Sequence, residues 1–278
     1  AYVNIPDSNP IIGGLGGKYG GHVFLFSGGF LLAGYANDTL WANGVAPSSL
    51  INDYLPGTVS NDPSDPKNVI YVVKQTDSDF GQSWQDWINA VSLGADFYDG
   101  NNDGIYNPAD LNGNNIWDTS EDKPSIIGDE MTWCVYNDEV PANQRNFTTV
   151  TPKGIEIQQT VAAYASTQVP LGNAIFIRYR LINTGTVVSQ LDSVIFAMYA
   201  DPDLGDANDD LIGCDTLLNS GFIYNNGSDY EYGSNPPAFF MKYLQGPISY
   251  IPGETFIDNN SNNIFELGID TPLDTAYN

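Results

Sequence analysis

Strict alternation is the strongest pattern in the chain. Ile155, Ile157, Gln159, Val161, Ala163 and Ala165 fall on one side of "GIEIQQTVAAYAS". Ile175, Ile177, Tyr179 and Leu181 fall on one side of "NAIFIRYRLIN", opposite Phe176, Arg178 and Arg180. Period two is the repeat of a β-strand, whose side chains point to its two faces in turn. "NVIYVVK", "EMTWCVYND", "DSVIFAMYA" and "AFFMKYL" read as further strands, separated by Gly, Asn and Pro. Near the N-terminus, His22–Phe26 and Phe30–Ala36 are expected as two strands around a turn at Gly28-Gly29, and residues 42–66 as a long loop. One helix is predicted over Ser78–Val91, with Asp79 as its N-cap and Trp84, Trp87, Ile88 and Val91 on one face. The pattern predicts a mainly β protein: an antiparallel β-sandwich, jelly-roll-like, with long inserted loops and one short helix.

One of those loops, "DGNNDGIYNPADLNGNNIWDTSED", runs from Asp99 to Asp122 with six acids, six asparagines, three glycines and no Lys or Arg. Calcium is bound by hard oxygens on a tightly turning loop. EF-hand-type spacing puts side-chain oxygens at positions 1, 3 and 5, glycine at 6, a backbone carbonyl at 7 and an acid at 12. Counting from Asp99 gives Asp99, Asn101, Asp103, Gly104, Ile105 and Asp110. Counting from Asp110 gives Asp110, Asn112, Asn114, Asn115, Ile116, then Asp118 at position 9 and Glu121 at 12. A third copy holds Asp258, Asn260, Asn262, Ile264 and Glu266. There Ile269 occupies position 12, so Asp270 would be the ligand, and by analogy Asp122 serves beside or instead of Glu121. On this count Asp110 closes the first loop and opens the second. "DPDLGDANDD" offers Asp201, Asp203 and Asp206 as a further candidate, without the glycine; its acids could instead pair with Arg178 and Arg180. Residues 1–250 are thus expected as a sandwich domain with calcium loops at 99–122, and residues 251–278 as a C-terminal calcium-loop segment. The competing interpretation of 99–122 is a solvated acidic linker.

Charge makes the metal reading more pressing. The 278 residues carry a net charge of -25, from nine Lys and Arg against 34 Asp and Glu. Such a surface cannot neutralise phosphates, which excludes nucleic acid as a partner and disfavours an anionic membrane. No apolar run is long enough to span a bilayer as a helix, so membrane insertion is not expected. Cys134 and Cys214 could form one disulfide or remain two free thiols. The chain opens on Ala1 rather than Met, as a processed product would. Catalytic chemistry finds little support: His22 is the sole histidine, there is no G-x-S-x-G elbow, and "GGLGGKYGG" fails the phosphate-loop pattern because Tyr19 follows Lys18.

The segments "DGNNDGIYNPADLNGNNIWDTSEDKPSIIGDEMTWCVYND", "GIEIQQTVAAYA", "NAIFIRYRLINTG", "DSVIFAMYADPDLGDANDDLIGCDT", "GFIYNNG" and "LQGP" resemble secreted Bacteroidota-type surface proteins with type IX sorting signals. The resemblance implies export and an extracellular or cell-surface location. The combined expectation is a calcium-stabilised structural protein, not an enzyme, that self-assembles into a surface filament, with an N-terminal strand added to a neighbour's sheet. The rival expectation is a monomeric adhesin that binds glycans on exposed Trp41, Trp84 or Trp117.

Overall fold

The computed structural model describes residues 17–44, 53–145, 150–167, 171–246, 251–263, 265–266 and 269–272. Among the described residues the chain is mainly β, with antiparallel sheets and one α-helix. In order the strands are β1 (Gly17–Tyr19), β2 (His22–Ala36), β3 (Thr39–Gly44), β4 (Leu55–Pro56), β5 (Tyr71–Lys74), β6 (Phe97–Tyr98), β7 (Lys123–Pro124), β8 (Glu130–Asn137), β9 (Ile155–Ala163) and β10 (Ile175–Asn183). Then follow β11 (Asp192–Pro202), β12 (Asp210–Asp215), β13 (Ser220–Asn225), β14 (Ala238–Lys242), β15 (Phe256–Ile257) and β16 (Thr271–Pro272), while α1 (Gln82–Ser92) lies between β5 and β6. Two compact units divide the chain: residues 29–197 form one, and residues 17–28 with 198–272 form the other among the described residues. The division falls inside β2 and β11.

In the first unit a five-stranded sheet runs β10-β9-β8-β4, with β5 also paired to β8. Its alternation builds two cores. Met131, Trp133 and Val135 of β8 join Tyr71 and Val73 of β5 against Trp87, Ala90 and Leu93 of the helix region. On the opposite side, Ile155 and Ile157 of β9, with Tyr136, Tyr179 and Leu181, meet Phe30, Leu32, Ala36 and Trp41 of β2 and β3. β9 is therefore buried on both faces. Even Gln158, Gln159 and Thr160 are covered, although the sequence alternates as if one face were wet.

Several expectations are corrected. His22–Ala36 is one continuous strand, not two around a Gly-Gly turn. β2 lies inside its sheet, flanked by β1 and β3 on one side of the strand order and β11 on the other. Gly34 explains part of this use of glycine: a Cβ there would lie 2.9 Å from the Asp192 carbonyl. The actual hairpin turn comes at Asn37 and Asp38, both left-handed (φ 49° and 60°), which suits a type I′ turn into β3. β3 and β4 also occupy part of the segment expected to be loop. The helix starts at Gln82, because Phe80 is left-handed (φ 58°) and Gly81 is the extended N-cap. Asp79 does not cap it; its carboxylate accepts the Trp117 N–H at 2.9 Å. Ile88 is outside the core face, which consists of Trp84, Trp87 and Ala90.

In the second unit, β12-β13-β14 form a three-stranded antiparallel sheet, and β15 pairs β16. Phe24 packs on Phe239 with ring centroids 5.4 Å apart, and His22 sits 3.1 Å from the Glu231 carboxylate.

Candidate metal centres

The acidic stretch is pinned at its base. β6 ends directly before Asp99 and β7 begins directly after Asp122, with Phe97 opposite Pro124 and Tyr98 opposite Lys123. The C-terminal copy is pinned in the same way. β15 ends before Asp258 and β16 begins after Asp270, with Phe256 opposite Pro272. The internal repeat thus extends beyond the loops to their flanking strands.

Within each loop the opening aspartate folds the backbone around itself. Asp99 accepts the Asp103 and Gly104 N–H groups at 3.2 and 2.8 Å. Asp110 accepts those of Asn112, Gly113, Asn114 and Asn115, the last at 2.7 Å. Asp258 accepts those of Asn262 and Asn263, the latter at 2.6 Å. These bonds hold the Asp110 carboxyl below its ordinary range, the Asn115 N–H first among them. Asp118 is likewise held low, first by the Ser120 hydroxyl. All three loops are left-handed at positions 4 and 6: Asn102 and Gly104, Gly113 and Asn115, Ser261 and Asn263. Asn and Gly are the residues that reach this region at least cost. At position 8 an aromatic ring anchors each loop. Tyr106 is buried and donates its hydroxyl to the Trp84 carbonyl, Trp117 donates its indole N–H to the Glu121 carbonyl, and Phe265 packs on Phe256. The preceding Ile105 and Ile116 side chains point to solvent, so only their backbone can serve a site. Ile264 lies outside the described residues.

The closing carboxylate makes the same pair of bonds in each loop, to the N–H groups at positions 2 and 9. In the C-terminal loop it is Asp270, with Asn259 and Glu266 at 2.8 and 2.7 Å. In the loop opened by Asp110 it is Glu121, with Leu111 and Asp118 at 2.6 and 3.1 Å. In the loop opened by Asp99 it is Asp122, with Gly100 and Asn107 at 3.0 and 2.8 Å. Spacing along the chain had placed Asp110 in that last position, yet the hydrogen bonds to Asp110 come from its own loop. The tandem is therefore nested: the Asp110–Glu121 loop is inserted in a larger one opened by Asp99 and closed by Asp122. Gly100 allows the two closures to sit side by side, since a Cβ there would collide with the Glu121 backbone.

Each loop carries three carboxylates along its sequence: Asp99, Asp103 and Asp122; Asp110, Asp118 and Glu121; Asp258, Glu266 and Asp270. Asparagine amides lie between them. The Asn112 amide reaches Asp118 at 2.7 Å, and those of Asn260 and Asn262 reach Glu266 at 2.5 and 2.7 Å, so positions 3 and 9 converge. Asn101 contacts Asp103 at 2.9 Å. This donor set is hard oxygen throughout, the kind calcium takes; no His or Cys contributes. A carboxylate has about four lone-pair sites. Each closing carboxylate accepts one of these N–H bonds on each oxygen, which leaves lone pairs available, whereas Asp110 accepts three on Oδ1 and one on Oδ2. Among the described residues no group of three or more His, Cys, Asp or Glu side chains forms a compact metal cluster. Any ion here would have to draw on amides and carbonyls as well. Among the described residues no ion pair reaches an acid of the three loops; Lys123 lies over the Trp117 ring, 3.6 Å from its centroid.

The Asp201–Asp210 segment is built differently. Asp201 is exposed, Asp206 accepts the Asn208 N–H and amide, and Asp203 is pushed up by desolvation and then by Asp201 and Asp210. Asp210 is raised by desolvation, and one of its oxygens is buried without a partner while the other accepts the Leu204 N–H. Asp229, invisible to spacing arguments, is buried and accepts the N–H groups of Asp206, Glu231 and Tyr232. Arg178 and Arg180 do not pair with these acids. They reach Asp96 at 2.8 and 3.9 Å, where the chain leaves the helix region. Both cysteines are free thiols. Trp41 and Trp84 are buried and cannot be glycan platforms; Trp117 is partly covered by Lys123 and Tyr98. No helix among the described residues is long and apolar enough to cross a membrane.

No family profile, no curated protein and no solved structure matches the chain.

Proposed function

We propose that the chain is an extracellular structural protein, not an enzyme, whose three acidic loops bind Ca2+ and which self-assembles into a surface filament. One observation carries the calcium reading. Three loops repeat the same backbone handedness and the same closing-carboxylate bonds, each with three carboxylates and no basic ion-pair partner among the described residues. In this reading the ligands are Asp99, Asn101, Asp103, the Ile105 carbonyl and Asp122 in the outer loop; Asp110, Asn112, Asn114, the Ile116 carbonyl, Asp118 and Glu121 in the nested one; and Asp258, Asn260, Asn262, Glu266 and Asp270 in the third. The two layers meeting through Phe30 and Ile157 support reading the first unit as a β-sandwich. Burial of Trp41 and Trp84 weakens the rival glycan-binding reading.

Calcium in such loops would fix surface segments and cancel repulsion among acids, in keeping with a scaffold of net charge -25. Terbium substitution tests the reading, because Trp117 sits at position 8 of the nested loop and can sensitise a bound lanthanide. Saturable luminescence, displaced by calcium at about 10⁻⁴–10⁻³ M as in extracellular modules, is the expected result. Absence of both luminescence and any calcium-dependent rise in melting temperature would sink it.

A further inference from the structure

An N-terminal strand is the expected docking element, but β2 is interior to its sheet and β1, at the edge of that sheet, is only three residues long. The open edges lie elsewhere. Among the described residues β10 ends the five-stranded sheet and β12 ends the three-stranded one. β10 is nine residues long and pairs β9 in unbroken register from Ile175 to Asn183, so no bulge blunts its free edge. One face carries Ile175 and Ile177, 68% and 51% exposed; the other carries Arg178 and Arg180, whose side chains are 55% and 54% exposed. β12 shows the complementary pattern. Ile212 is 86% exposed on the face it shares with Asp210 and Cys214, and Asp215 follows Leu211 and Gly213 on the other. The most acid-dense segment of its unit, with Asp201, Asp203, Asp206 and Asp209, leads directly into it.

We propose that the free edge of β10 in one copy adds to the free edge of β12 in a second copy of this chain. The proposal rests on the self-assembly reading and says where it happens. Charge chooses the pair. Only nine basic residues stand against 34 acids, so two adjacent arginines on an open edge favour a second copy's acidic surface. Pairing β10 with another β10 would bring Arg178 and Arg180 against their own kind, and pairing β12 with β12 would oppose Asp210 and Asp215 to themselves. Pairing β10 with β12 in parallel, with Ile175 beside Ile212, sets Ile177 beside Cys214 on one face and Arg178 beside Asp215 on the other. Because the two edges differ, the contact is heterologous. Each copy keeps one free β10 and one free β12, and the assembly grows as an open chain.

Native Cys214 on β12 is a free, exposed thiol and provides the test. Ile175→Cys and Ile177→Cys would be made in the full chain, each with and without Cys214→Ser, and oxidised at millimolar calcium. At least one cysteine variant should give a ladder of disulfide-linked multimers that disappears when Cys214 is replaced. In parallel, Arg178→Glu/Arg180→Glu should raise the concentration needed for filaments by at least tenfold in electron microscopy. Its melting temperature should hold, since exposed ion pairs such as those to Asp96 contribute little. Filaments that form normally in the charge-reversed chain, with no Cys214-dependent ladder, overturn the edge assignment and leave self-assembly standing. A wild-type chain that stays monomeric at every calcium and protein concentration overturns both.

Discussion

Two groups of buried carboxylates in the first unit are handled in opposite ways. Asp138 is fully buried. Its oxygens accept the N–H groups of Lys153, Gly154 and Ile155 and the Asn43 amide. Arg145, also fully buried, donates to the Asp138 carbonyl at 2.6 Å and to the Asn43 side-chain oxygen, so a covalently attached cation closes the network. Glu121 and Asp122 are equally buried, yet they are bonded by the backbone N–H groups of Leu111, Asp118, Gly100 and Asn107, and no ion pair among the described residues reaches them. Burying an ionised carboxylate without a counter-charge is costly. The first network includes a buried guanidinium of the chain itself, bonded to the Asp138 carbonyl and Asn43; the second includes no Lys or Arg among the described residues, and in the proposed reading calcium supplies its positive charge. One network should therefore ignore calcium and the other depend on it.

The largest effect should come from breaking the self-contained network. Asp138→Ala strands three buried N–H donors and the Asn43 amide, and should lower stability by about 3–5 kcal/mol in denaturant unfolding. Calcium should not restore it; restoration would break the contrast. Chelation of the wild-type protein comes next. Each filled loop should contribute about 2.7 kcal/mol when free calcium is a hundredfold above its Kd. A fall in melting temperature in chelator, with hydrogen-exchange protection of the β8–β9 ladder retained, is the expected outcome. An unchanged melting temperature would place the acidic loops in the same class as Asp138.

What the sequence could reveal followed from local period and spacing. β8 to β10 were legible because alternation is written residue by residue, and the loops because their oxygens recur at fixed offsets. The closing ligand of the outer loop was not. Asp122 lies 22 residues from Gly100, and counting twelve from Asp99 lands on Asp110, which has the right chemistry but bonds within the nested loop. The Asn43–Asp138–Arg145 network was illegible for the same reason: its members are 95 and 102 residues apart and have no shared pattern. Gly28-Gly29 misled because glycine marks close approach inside a sheet as well as turns.

Single-site substitutions sharpen the nesting at smaller magnitude. Asp122→Asn should weaken calcium binding at the outer loop alone, and Glu121→Gln at the nested loop alone, each by about 10-fold or more if these groups act as ligands or orient them. Amide chemical shifts at Gly104 and Asn115, both at position 6, report the two loops separately. Asp110→Asn discriminates most directly. It should affect Asn115 and leave Gly104 unmoved, whereas loss at both would restore a shared Asp110.

The smallest effect is a divergence in pH response between the loops and the Asp201–Asp210 segment. Asp110 and Asp118 have depressed carboxyl pKa values in the folded chain, chiefly through the Asn115 N–H and the Ser120 hydroxyl. Stabilisation from such groups is present above the unfolded value and is lost as pH falls through the folded one. Asp203 and Asp210 are shifted the other way, first by desolvation and then by neighbouring acids. The folded state holds their protons more tightly than the unfolded chain, so their unfavourable contribution fades as pH falls from the folded value towards the ordinary 3.8. Carboxyl NMR in chelator should show Asp203 and Asp210 titrating above that value and Asp110 and Asp118 below it. Saturating calcium should push Asp110 and Asp118 further down, because an ion held by a carboxylate competes with its proton. If calcium left those two curves in place, the loop acids would be satisfied by backbone N–H groups alone, and the contrast with Asp138 would reduce to hydrogen bonding.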